Sequence, residues 1–473
     1  MPGSLLVRFR DAPRAVPKAH FNRDLGYGVY QFTTEDLSRG AAKKLAKLIE
    51  HDPDILWAEP EYMRSRDAAT VFVNDPRYGE QWALPLIHAP EAWAETRGSE
   101  RVVVAVIDTG ELAHPELADR YLPGYDFITD PTNGGDGTGR DPNPRDPGAL
   151  APGSSGLHGL HVAGIIGAHP DNGLGIAGID WNCRILPIRV LGVQGARGAD
   201  SDIADAIRWA VGLPVNGVPS NPTPAHVINL SFGGRGGSQI LQEAVNAAVA
   251  RGATVIASAG NDAADISDYA PAGLDNVIAV GAVGTTGQLA PYSNYGAQVA
   301  LVAPGGSPLD GDTPGILSTT YLPGQTDPWD FIRLEGTSQA APHVSGVVAL
   351  MRAVAPRLSA AEVREVLMMT ADPQGRCPQG CGAGLLNASA AVAAAAGRAG
   401  CDPVCGADEV CIDKQCIRRS SGVTLVPGCR TGGPSPHEHG DDGAGGLADL
   451  WGSLLLLGAP LLAALRLHRR RHV

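Results

Sequence analysis

The sequence predicts an α/β protein built on a doubly wound, mostly parallel sheet. Short apolar runs, which suit strands buried on both faces, alternate along the chain with stretches of helical periodicity. The predicted strands cover residues 102–107, 184–191, 226–230 and 254–257, and the predicted helices cover residues 202–211 and 240–250. Helical crossovers of this length are what parallel pairing of successive strands requires.

Composition limits the kinds of protein that this chain can be. Its 473 residues, 44% of them hydrophobic, suit one large domain with appendages. A formal net charge of -13 argues against nucleic acid as the main partner, because phosphate binding needs a basic surface. All but one of the 8 cysteines follow residue 376, which is typical of an oxidised, exported tail. Residues 1–30 contain no apolar signal-peptide core, so we expect the numbering of an exported protein to start after its signal or at a misplaced start.

A small α+β unit is predicted in residues 1–68, ahead of a main domain that we expect to span residues 74–396. The elements predicted in the small unit are one helix and three strands, at residues 41–50, 5–9, 29–32 and 55–58. The position of this unit in the chain is also compatible with an accessory domain.

The first predicted strand of the main domain ends in Asp108. In open α/β sheets the carboxyl ends of the strands are where sites are built, so this acid is a candidate site residue. The alternative is an aspartate that caps the following turn.

A Gly-, Pro- and Asp-rich loop and a helix with two histidines come next. The loop acids, which could hold a cation but are more often solvated, are Asp130, Asp136, Asp141 and Asp146. His158 and His161 are three apart, whereas the zinc-protease spacing is four with an intervening glutamate. The pattern therefore favours a helix that carries a base.

Two later stretches carry a polar residue where a strand ends or a helix begins. Asn261 follows the strand at 254–257 and can cap a helix or donate to an oxyanion. Ser338 is predicted at the first turn of an apolar helix, where unpaired N-H groups favour negative charge on an attacked carbonyl. We expect Pro342 in that first turn as well, because proline is tolerated there. The alternative is a Gly-Thr-Ser cap on an ordinary core helix.

Asp108, His158, Asn261 and Ser338, taken in this order, resemble the catalytic residues of the subtilisin-like serine proteases, the subtilases. The resemblance covers about residues 74–396 and rests on the motifs VIDTG, HGLHVAG, SAGN and GTSQAAPHVSG. It implies that Ser338 is the nucleophile, His158 the general base and Asp108 the group that orients the imidazole. It also implies an oxyanion hole made by Asn261 and the Ser338 backbone N-H.

The same resemblance implies a substrate-binding surface and a structural histidine. The residues expected to bind an extended peptide or to wall its primary specificity pocket are Ser231, Phe232, Gly233, Ala259 and Gly260. His161 is expected to be structural.

Two positions depart from the family pattern. Gln339 stands where the family usually has methionine, and it denies oxidants the sulfur beside the nucleophile. Leu160 stands where the family usually has threonine, which leaves open how the turn around His158 is hydrogen-bonded.

A structural calcium ion is also implied by the resemblance. Its expected ligands, all oxygen atoms, come from Asp75, Glu116, Asn172 and the carbonyls of Leu174 and Ile176. Glu116 replaces the usual aspartate and lengthens that arm by one methylene.

The small N-terminal unit is interpreted, by its place before a protease domain, as an inhibitory propeptide and folding chaperone. We expect self-cleavage between residues 63 and 74. The enzyme is then a zymogen whose partners are peptide substrates and its own propeptide.

The cysteines after residue 376 predict disulfides. Cys377 and Cys381 flank a very short loop, and a disulfide that closes it should add roughly 2 kcal/mol. Residues 401–417 form a small Cys-rich module in which two disulfides are favoured over zinc, because the spacings do not fit paired C-x-x-C knuckles. Its cysteines are Cys401, Cys405, Cys411 and Cys416. Cys183 lies in a core segment and is expected to be a buried free thiol.

The end of the chain predicts a linker and a sorting tail. Residues 418–446 are a flexible linker, and residues 447–473 hold an uncharged run followed by an arginine cluster. As a helix that run spans roughly 24 Å, a little short of a hydrocarbon core of about 30 Å. Apolar residues lie on every side of it, so it is predicted to be a transmembrane helix, with a docked amphipathic helix as the alternative. With Cys429 it resembles the three-part C-terminal sorting tails of exported proteins in some Gram-negative bacteria.

Together these features predict a secreted or cell-surface serine endopeptidase of a Gram-negative bacterium. A catalytically silent surface adhesin and a small-ester hydrolase are the alternatives. The complete set of catalytic side chains argues against the adhesin, and the predicted peptide-binding strand argues against the ester hydrolase.

Overall fold

A computed structural model describes most of the chain up to residue 398. The described residues are 4–26, 28–34, 41–61, 71, 73–147, 157–311, 315–322, 326–375, 377 and 379–398, with the backbone of 409–412 and 415–418. Within these residues, no helix combines the length and the apolar character needed to cross a membrane. The predicted membrane segment and Cys429 lie outside the described residues, as do Cys401 and Cys405.

The N-terminal unit is an antiparallel sheet with one helix packed on it. Its elements are β1 (Ser4–Phe9), β2 (Ala19–Gly26), β3 (Val29–Thr34), α1 (Ala41–Ile49) and β4 (Ile55–Pro60), and the strand order is β2-β3-β1-β4. Strand β2 was not predicted because most of its side chains are exposed polar ones on an edge. Leu5, Val7, Phe32 and Leu45 lie in a small core that belongs to this unit alone.

The main domain contains a seven-stranded sheet in which every adjacent pair of strands is parallel. The strands of the domain are β5 (Val103–Asp108), β6 (Tyr125–Asp126), β7 (Arg184–Arg189), β8 (Val227–Leu230), β9 (Gly234–Arg235), β10 (Thr254–Ser258), β11 (Tyr269–Ala270), β12 (Val277–Val283), β13 (Val299–Pro304), β14 (Ile316–Tyr321) and β15 (Trp329–Leu334). The sheet order is β13-β12-β10-β8-β5-β7-β6, while β9 pairs with β11 and β14 pairs with β15. The predicted doubly wound, parallel sheet is confirmed.

Helices cover both faces of this sheet. They are α2 (Ala83–Leu86), α3 (Ala89–Ala92), α4 (Pro131–Gly134), α5 (His158–Gly167), α6 (Asp200–Ala210), α7 (Gln239–Ala250), α8 (Thr337–Val354), α9 (Ala360–Thr370) and α10 (Ala388–Arg398). Val104 and Val106 of β5 pack in the core that contains α5 and α8, whereas Ala105 and Ile107 pack in the core that contains α6 and α7. Burial on both faces explains why these strands are continuous apolar runs.

The predictions for Cys183, Cys377 and Cys381 are confirmed. Cys377 and Cys381 form a disulfide, and Cys183 is a buried free thiol. Cys411 and Cys416 lie opposite each other in a hairpin formed by β16 (Glu409–Ile412) and β17 (Gln415–Arg418).

Candidate active site

Three neighbouring strands end side by side at the edge of the sheet where the candidate residues lie. Strand β8 pairs with β5 on one side and with β10 on the other, and Leu230 is level with both Ile107 and Ala257. Asp108 and Ser231, one residue further on, are therefore level on strands about 5 Å apart. We call these three carboxyl ends of β5, β8 and β10 the active edge.

The acid and the base are joined directly. Asp108 is fully buried, and its Oδ1 lies 2.8 Å from His158 Nδ1 and accepts from the Thr109 N-H at 2.7 Å. The Thr109 hydroxyl accepts from the Gly159 N-H at 3.0 Å, and a Cβ on Gly159 would lie 2.5 Å from the Gly110 carbonyl oxygen. Helix α5 can approach the turn after β5 only because residue 159 is glycine. Because Nδ1-H faces a carboxylate, Nε2 keeps the lone pair that a base needs.

The surroundings of His158 set its pKa above the ordinary value. Burial alone would lower the pKa of His158, but the charge of Asp108, the hydrogen bond to it and the charge of Asp146 together raise it above 6.5. Near neutral pH the imidazole is therefore ready to hold a proton taken from a neighbouring group.

The nucleophile candidate is the second residue of α8. The Ser338 hydroxyl donates to the backbone carbonyl of Ser231 at 2.9 Å. Among the described residues it makes no hydrogen bond to His158, so it must turn away from Ser231 before it can donate its proton to Nε2.

The prediction that Pro342 lies in the first turn is wrong. Helix α8 begins at Thr337, so Pro342 is its sixth residue and lies in the second turn. A proline there cannot donate to the carbonyl of Ser338, four residues earlier. That carbonyl instead accepts from the Ser231 hydroxyl at 2.8 Å. The apolar pattern located the helix but not its first residue.

The side-chain amide of Asn261 is oriented by Thr337. Asn261 Oδ1 accepts from both the N-H and the hydroxyl of Thr337, each at 2.9 Å, and the Thr337 hydroxyl accepts from the Gly260 N-H at 3.0 Å. With its oxygen occupied, Asn261 has Nδ2 left to donate, and this atom makes no hydrogen bond to any residue that the structure describes. Nδ2 would lie 3.4 Å from a Cβ on Gly336. Thr337 was only part of a motif in the sequence, and nothing there indicated its orienting role.

The predicted substrate-binding residues follow the ends of two of these strands. Ser231, Phe232 and Gly233 follow β8, whereas Ala259 and Gly260 follow β10. Gly260 has a φ of +103°, and a Cβ there would lie 2.4 Å from Asn294 Nδ2, so only glycine fits.

Asn294 is a buried residue that the sequence did not single out. Its Nδ2 donates to the Ala259 carbonyl, and its Oδ1 accepts from the N-H groups of Asp262 and Ala264, all at 2.9 Å. These bonds fix the loop that carries Asn261. No signal in the sequence separates this asparagine from one in a surface turn.

His161 and Leu160 are tied to the β14–β15 hairpin. His161 Nε2 lies 3.1 Å from the Ile316 carbonyl and 3.2 Å from the Ile332 carbonyl, and burial lowers the pKa of His161 to about 3, so the ring is neutral. The Leu160 carbonyl accepts from the Thr319 hydroxyl at 2.8 Å, while its side chain is buried. The sequence left open how this turn is hydrogen-bonded when leucine replaces threonine, and the hairpin supplies the hydrogen bond.

Part of the predicted calcium ligand set does come together. Asp75 accepts from the N-H groups of Asp171 and Asn172 at 2.9 and 3.2 Å, and Glu116 accepts from Asn172 Nδ2 at 3.2 Å and from the Ile176 N-H at 3.1 Å. We call Asp75, Glu116, Asn172, Leu174 and Ile176 the Asp75 cluster.

The two carboxylates of the Asp75 cluster suit a cation, but the amide of Asn172 does not point its oxygen towards them. Burial raises the pKa of Glu116 to about 7 and also raises that of Asp75, and among the described residues neither forms an ion pair. Asn172 turns its Nδ2 to Glu116 and its Oδ1 to the Leu174 N-H, so its amide must rotate to offer oxygen. The described side chains include no group of three or more His, Cys, Asp or Glu suited to a metal. Two buried carboxylates that form no ion pair among the described residues are nevertheless consistent with a calcium site, because calcium takes both carboxylate and carbonyl oxygens as ligands.

The loop acids are bound to the protein itself. Asp136 pairs with Arg189 at 3.1 Å, Asp141 accepts from the Thr138 hydroxyl at 2.6 Å, and Asp130 accepts from the Thr132 N-H at 2.9 Å. These contacts give the three side chains structural roles in the loop.

Comparison with known proteins agrees with this geometry. Residues 99–384 match the model of the Subtilase family. An extracellular protease of Xanthomonas campestris pv. campestris is 42% identical over 420 residues, covering 83% of this chain and 70% of that protein. An extracellular basic protease of Dichelobacter nodosus is 38% identical over 406 residues, covering 80% of this chain and 65% of that protein.

A solved structure supports the same assignment. A protease from Pseudoalteromonas arctica superposes with a TM-score of 0.65 at 41% identity, covering 69% of this chain and 100% of the other. Since the family model spans the whole of the active edge, the chain belongs to the subtilase family and is a subtilisin-like serine endopeptidase.

Proposed function

We propose that Asp108, His158 and Ser338 form the catalytic triad of this endopeptidase and that Asn261 completes its oxyanion hole. The observation that carries the proposal is the placement of Asp108, the Ser231 partner of Ser338 and Asn261 at or within three residues of the ends of three adjacent strands. Adjacent strand ends form a rigid frame, and the hydrogen bonds of Asp108 to His158 and of Ser338 to Ser231 hold the acid, the base and the nucleophile on it.

In the proposed reaction Ser338 Oγ attacks the carbonyl carbon of the scissile peptide bond. His158 Nε2 accepts the hydroxyl proton and then passes it to the leaving amine, while Asp108 stabilises the imidazolium. The oxyanion receives hydrogen bonds from Asn261 Nδ2 and the Ser338 N-H, at the positive end of the α8 dipole. Water then repeats the attack on the acyl-enzyme with His158 as base.

An extended peptide fits this site better than a small ester does. The segments Ser231 to Gly233 and Ala259 to Gly260 leave neighbouring strands of the sheet, so a peptide could add to them as a further strand. Such binding uses main-chain hydrogen bonds along several residues, which a short ester does not offer.

Export and zymogen maturation are part of the proposal. Curated relatives are named extracellular proteases, which supports secretion. The N-terminal unit has its own core, which supports a separately folding propeptide. Its last strand β4 still pairs with β1 up to Pro60, and the Glu61 carboxylate accepts from the Ser4 hydroxyl at 2.6 Å, so cleavage is proposed beyond residue 61.

We also propose a structural calcium ion in the Asp75 cluster. The buried carboxylates of Asp75 and Glu116 are the supporting observation, because a cation would supply the charge that they lack. The ion would link the segment at the start of the catalytic domain to the turn after β5 and take no part in the chemistry.

Sequence alone supports a C-terminal sorting tail. The uncharged run and the arginine cluster in residues 447–473 favour anchoring with the protease outside, and removal near Cys429. Intact-mass analysis of cell-surface enzyme tests this, and active full-length protein ending at Val473 in the cytosol would refute it.

Active-site labelling tests the central proposal. A fluorophosphonate should label the mature enzyme at Ser338, and Ser338→Ala should abolish both labelling and cleavage of an extended peptide. Comparing that peptide with a short ester then separates a peptidase from an esterase. Near-normal peptidase activity in Ser338→Ala would overturn the assignment.

A further inference from the structure

A chain of buried hydroxyl and amide groups runs beneath the nucleophile. The Ser345 hydroxyl donates to Asn229 Oδ1 at 2.8 Å, Asn229 Nδ2 donates to the Ser231 hydroxyl at 2.9 Å, and that hydroxyl donates to the Ser338 carbonyl at 2.8 Å. These three hydrogen bonds all run in the same direction, from Ser345 towards Ser338. Hydrogen bonds aligned in this manner polarise one another.

Every member of this chain is placed where a polar group is costly. Asn229 and Ser345 are fully buried and Ser231 is 2% exposed. Asn229 occupies the middle of the central strand β8, level with Val106 on one side and Ile256 on the other. A buried amide there destabilises the fold unless all its hydrogen bonds are made.

The proline of α8 leaves an opening for the chain. In a regular helix the Ser338 carbonyl would accept from the N-H of residue 342, but Pro342 has none. The freed carbonyl is the one that Ser231 reaches. The Ser345 hydroxyl has a second acceptor within its helix, the Ala341 carbonyl, but at 3.2 Å the bond is longer than the bond to Asn229.

We propose that Ser345 and Asn229 are positioning residues that act through the Ser231 hydroxyl to hold the Ser338 backbone for attack. This inference rests on the proposed function, since it assumes that Ser338 is the nucleophile. The Ser338 N-H and Oγ both move with this backbone unit, so the chain fixes the nucleophile and one oxyanion donor together. A small displacement of such a group lowers the rate of the chemical step more than the binding of substrate.

The test uses mature enzyme, a peptide p-nitroanilide and a fluorophosphonate. Ser345→Ala should lower kcat and the labelling rate by roughly tenfold while KM changes less than about twofold. Thr254→Val is the matched control: it removes another buried hydroxyl, an acceptor for Arg352 at 3.2 Å at the start of β10. Thr254→Val should lower Tm by about as much as Ser345→Ala does but leave kcat unchanged.

A double-mutant cycle separates positioning from general stability. Ser231→Ala removes the last donor, so adding Ser345→Ala to it should lower Tm further but leave kcat where Ser231→Ala puts it. If the loss of kcat in the double variant equals the product of the losses in the two single variants, the proposal is overturned. An unchanged labelling rate in Ser345→Ala would also overturn it.

Pro342→Ala provides a variant that leaves Ser345, Asn229 and Ser231 unchanged. It restores the helical N-H for the Ser338 carbonyl, which then competes with Ser231, and labelling should slow. Labelling at the wild-type rate would contradict the proposed role of the freed carbonyl. Absence of labelling in the wild-type enzyme would instead refute the proposed function itself, so the two failures are distinct.

Discussion

Asp108 and Glu116 are both fully buried carboxylates, but their partners differ in kind. Asp108 faces His158, an imidazole that can become a cation. From the residues that the structure describes, the Glu116 carboxylate receives an amide N-H and a backbone N-H but no cation, and the neighbouring charge of Asp75 has the same sign. Asp108 therefore has a counter-charge within reach on α5, whereas the proposed calcium ion would have to supply one to the Asp75 cluster. Equal burial is therefore compatible with the proposed catalysis in one region and the proposed ion binding in the other, because the partners differ.

The largest effect should come from removing the counter-charge of Asp108. His158→Ala should lower turnover by about 10⁶, the loss known for the equivalent change in subtilisin, because Ser338 then has no base. Glu116→Gln should leave kcat nearly unchanged. Steady-state kinetics on the peptide checks both. A comparable loss of kcat in Glu116→Gln would contradict the separation of the two regions.

The second effect concerns the oxyanion donor. Asn261→Ala should lower kcat by about 10² to 10³ with little change in KM, because Nδ2 serves the charge that develops in the transition state. Asn294→Ala should lower kcat less than Asn261→Ala does, since the proposed role of Asn294 is to hold the loop and not to donate to the substrate. An Asn261→Ala enzyme with only a raised KM would show that this amide binds the ground state instead.

The third effect is on stability and should appear only in the Asp75 cluster. In an inactive Ser338→Ala background, saturating calcium should raise Tm over excess chelator by roughly 5 °C, about 2.7 kcal/mol at a hundredfold excess over Kd. Glu116→Gln should abolish that difference. Glu111→Gln is the matched control, because Glu111 is another acid whose pKa burial raises but it lies outside the cluster. Identical melting curves with calcium and with chelator would remove the site.

The smallest effect is a shift in the pH profile. His158 must be neutral to accept the serine proton, so kcat/KM should rise with pH through a pKa above 6.5. Asp146→Asn removes a negative charge that raises this pKa, so the acidic limb should move to lower pH. Asp141→Asn, in the same loop, should not move it. A shift to higher pH in Asp146→Asn would contradict the sign of the interaction.

The sequence predicted the parts of the molecule that depend on unbroken burial. Strand β5 is a continuous apolar run up to Asp108, and β8 and β10 are mostly apolar, so the apolar pattern located the ends of these strands and the nearby residues Asp108 and Asn261. Strand β2 was missed because an exposed edge strand has no apolar face to reveal it.

Other features depend on contacts between distant residues and left no local pattern. The second-turn position of Pro342 became visible only with the true start of α8. The orientation of the Asn261 amide depends on Thr337, which is far away in the chain. Asn229 is a partial exception, because a lone amide within an apolar strand indicates a buried hydrogen-bond network.

Cys183 has a practical consequence for the whole fold. Its thiol is fully buried beneath α5, with a pKa raised by burial, so alkylating reagents cannot reach a thiolate while the domain is closed. Reaction at this sulfur therefore requires the layers around the sheet to separate. The rate at which Cys183 is alkylated therefore reports how often the catalytic domain opens. Mass spectrometry can measure this rate on the protein without any change to the sequence.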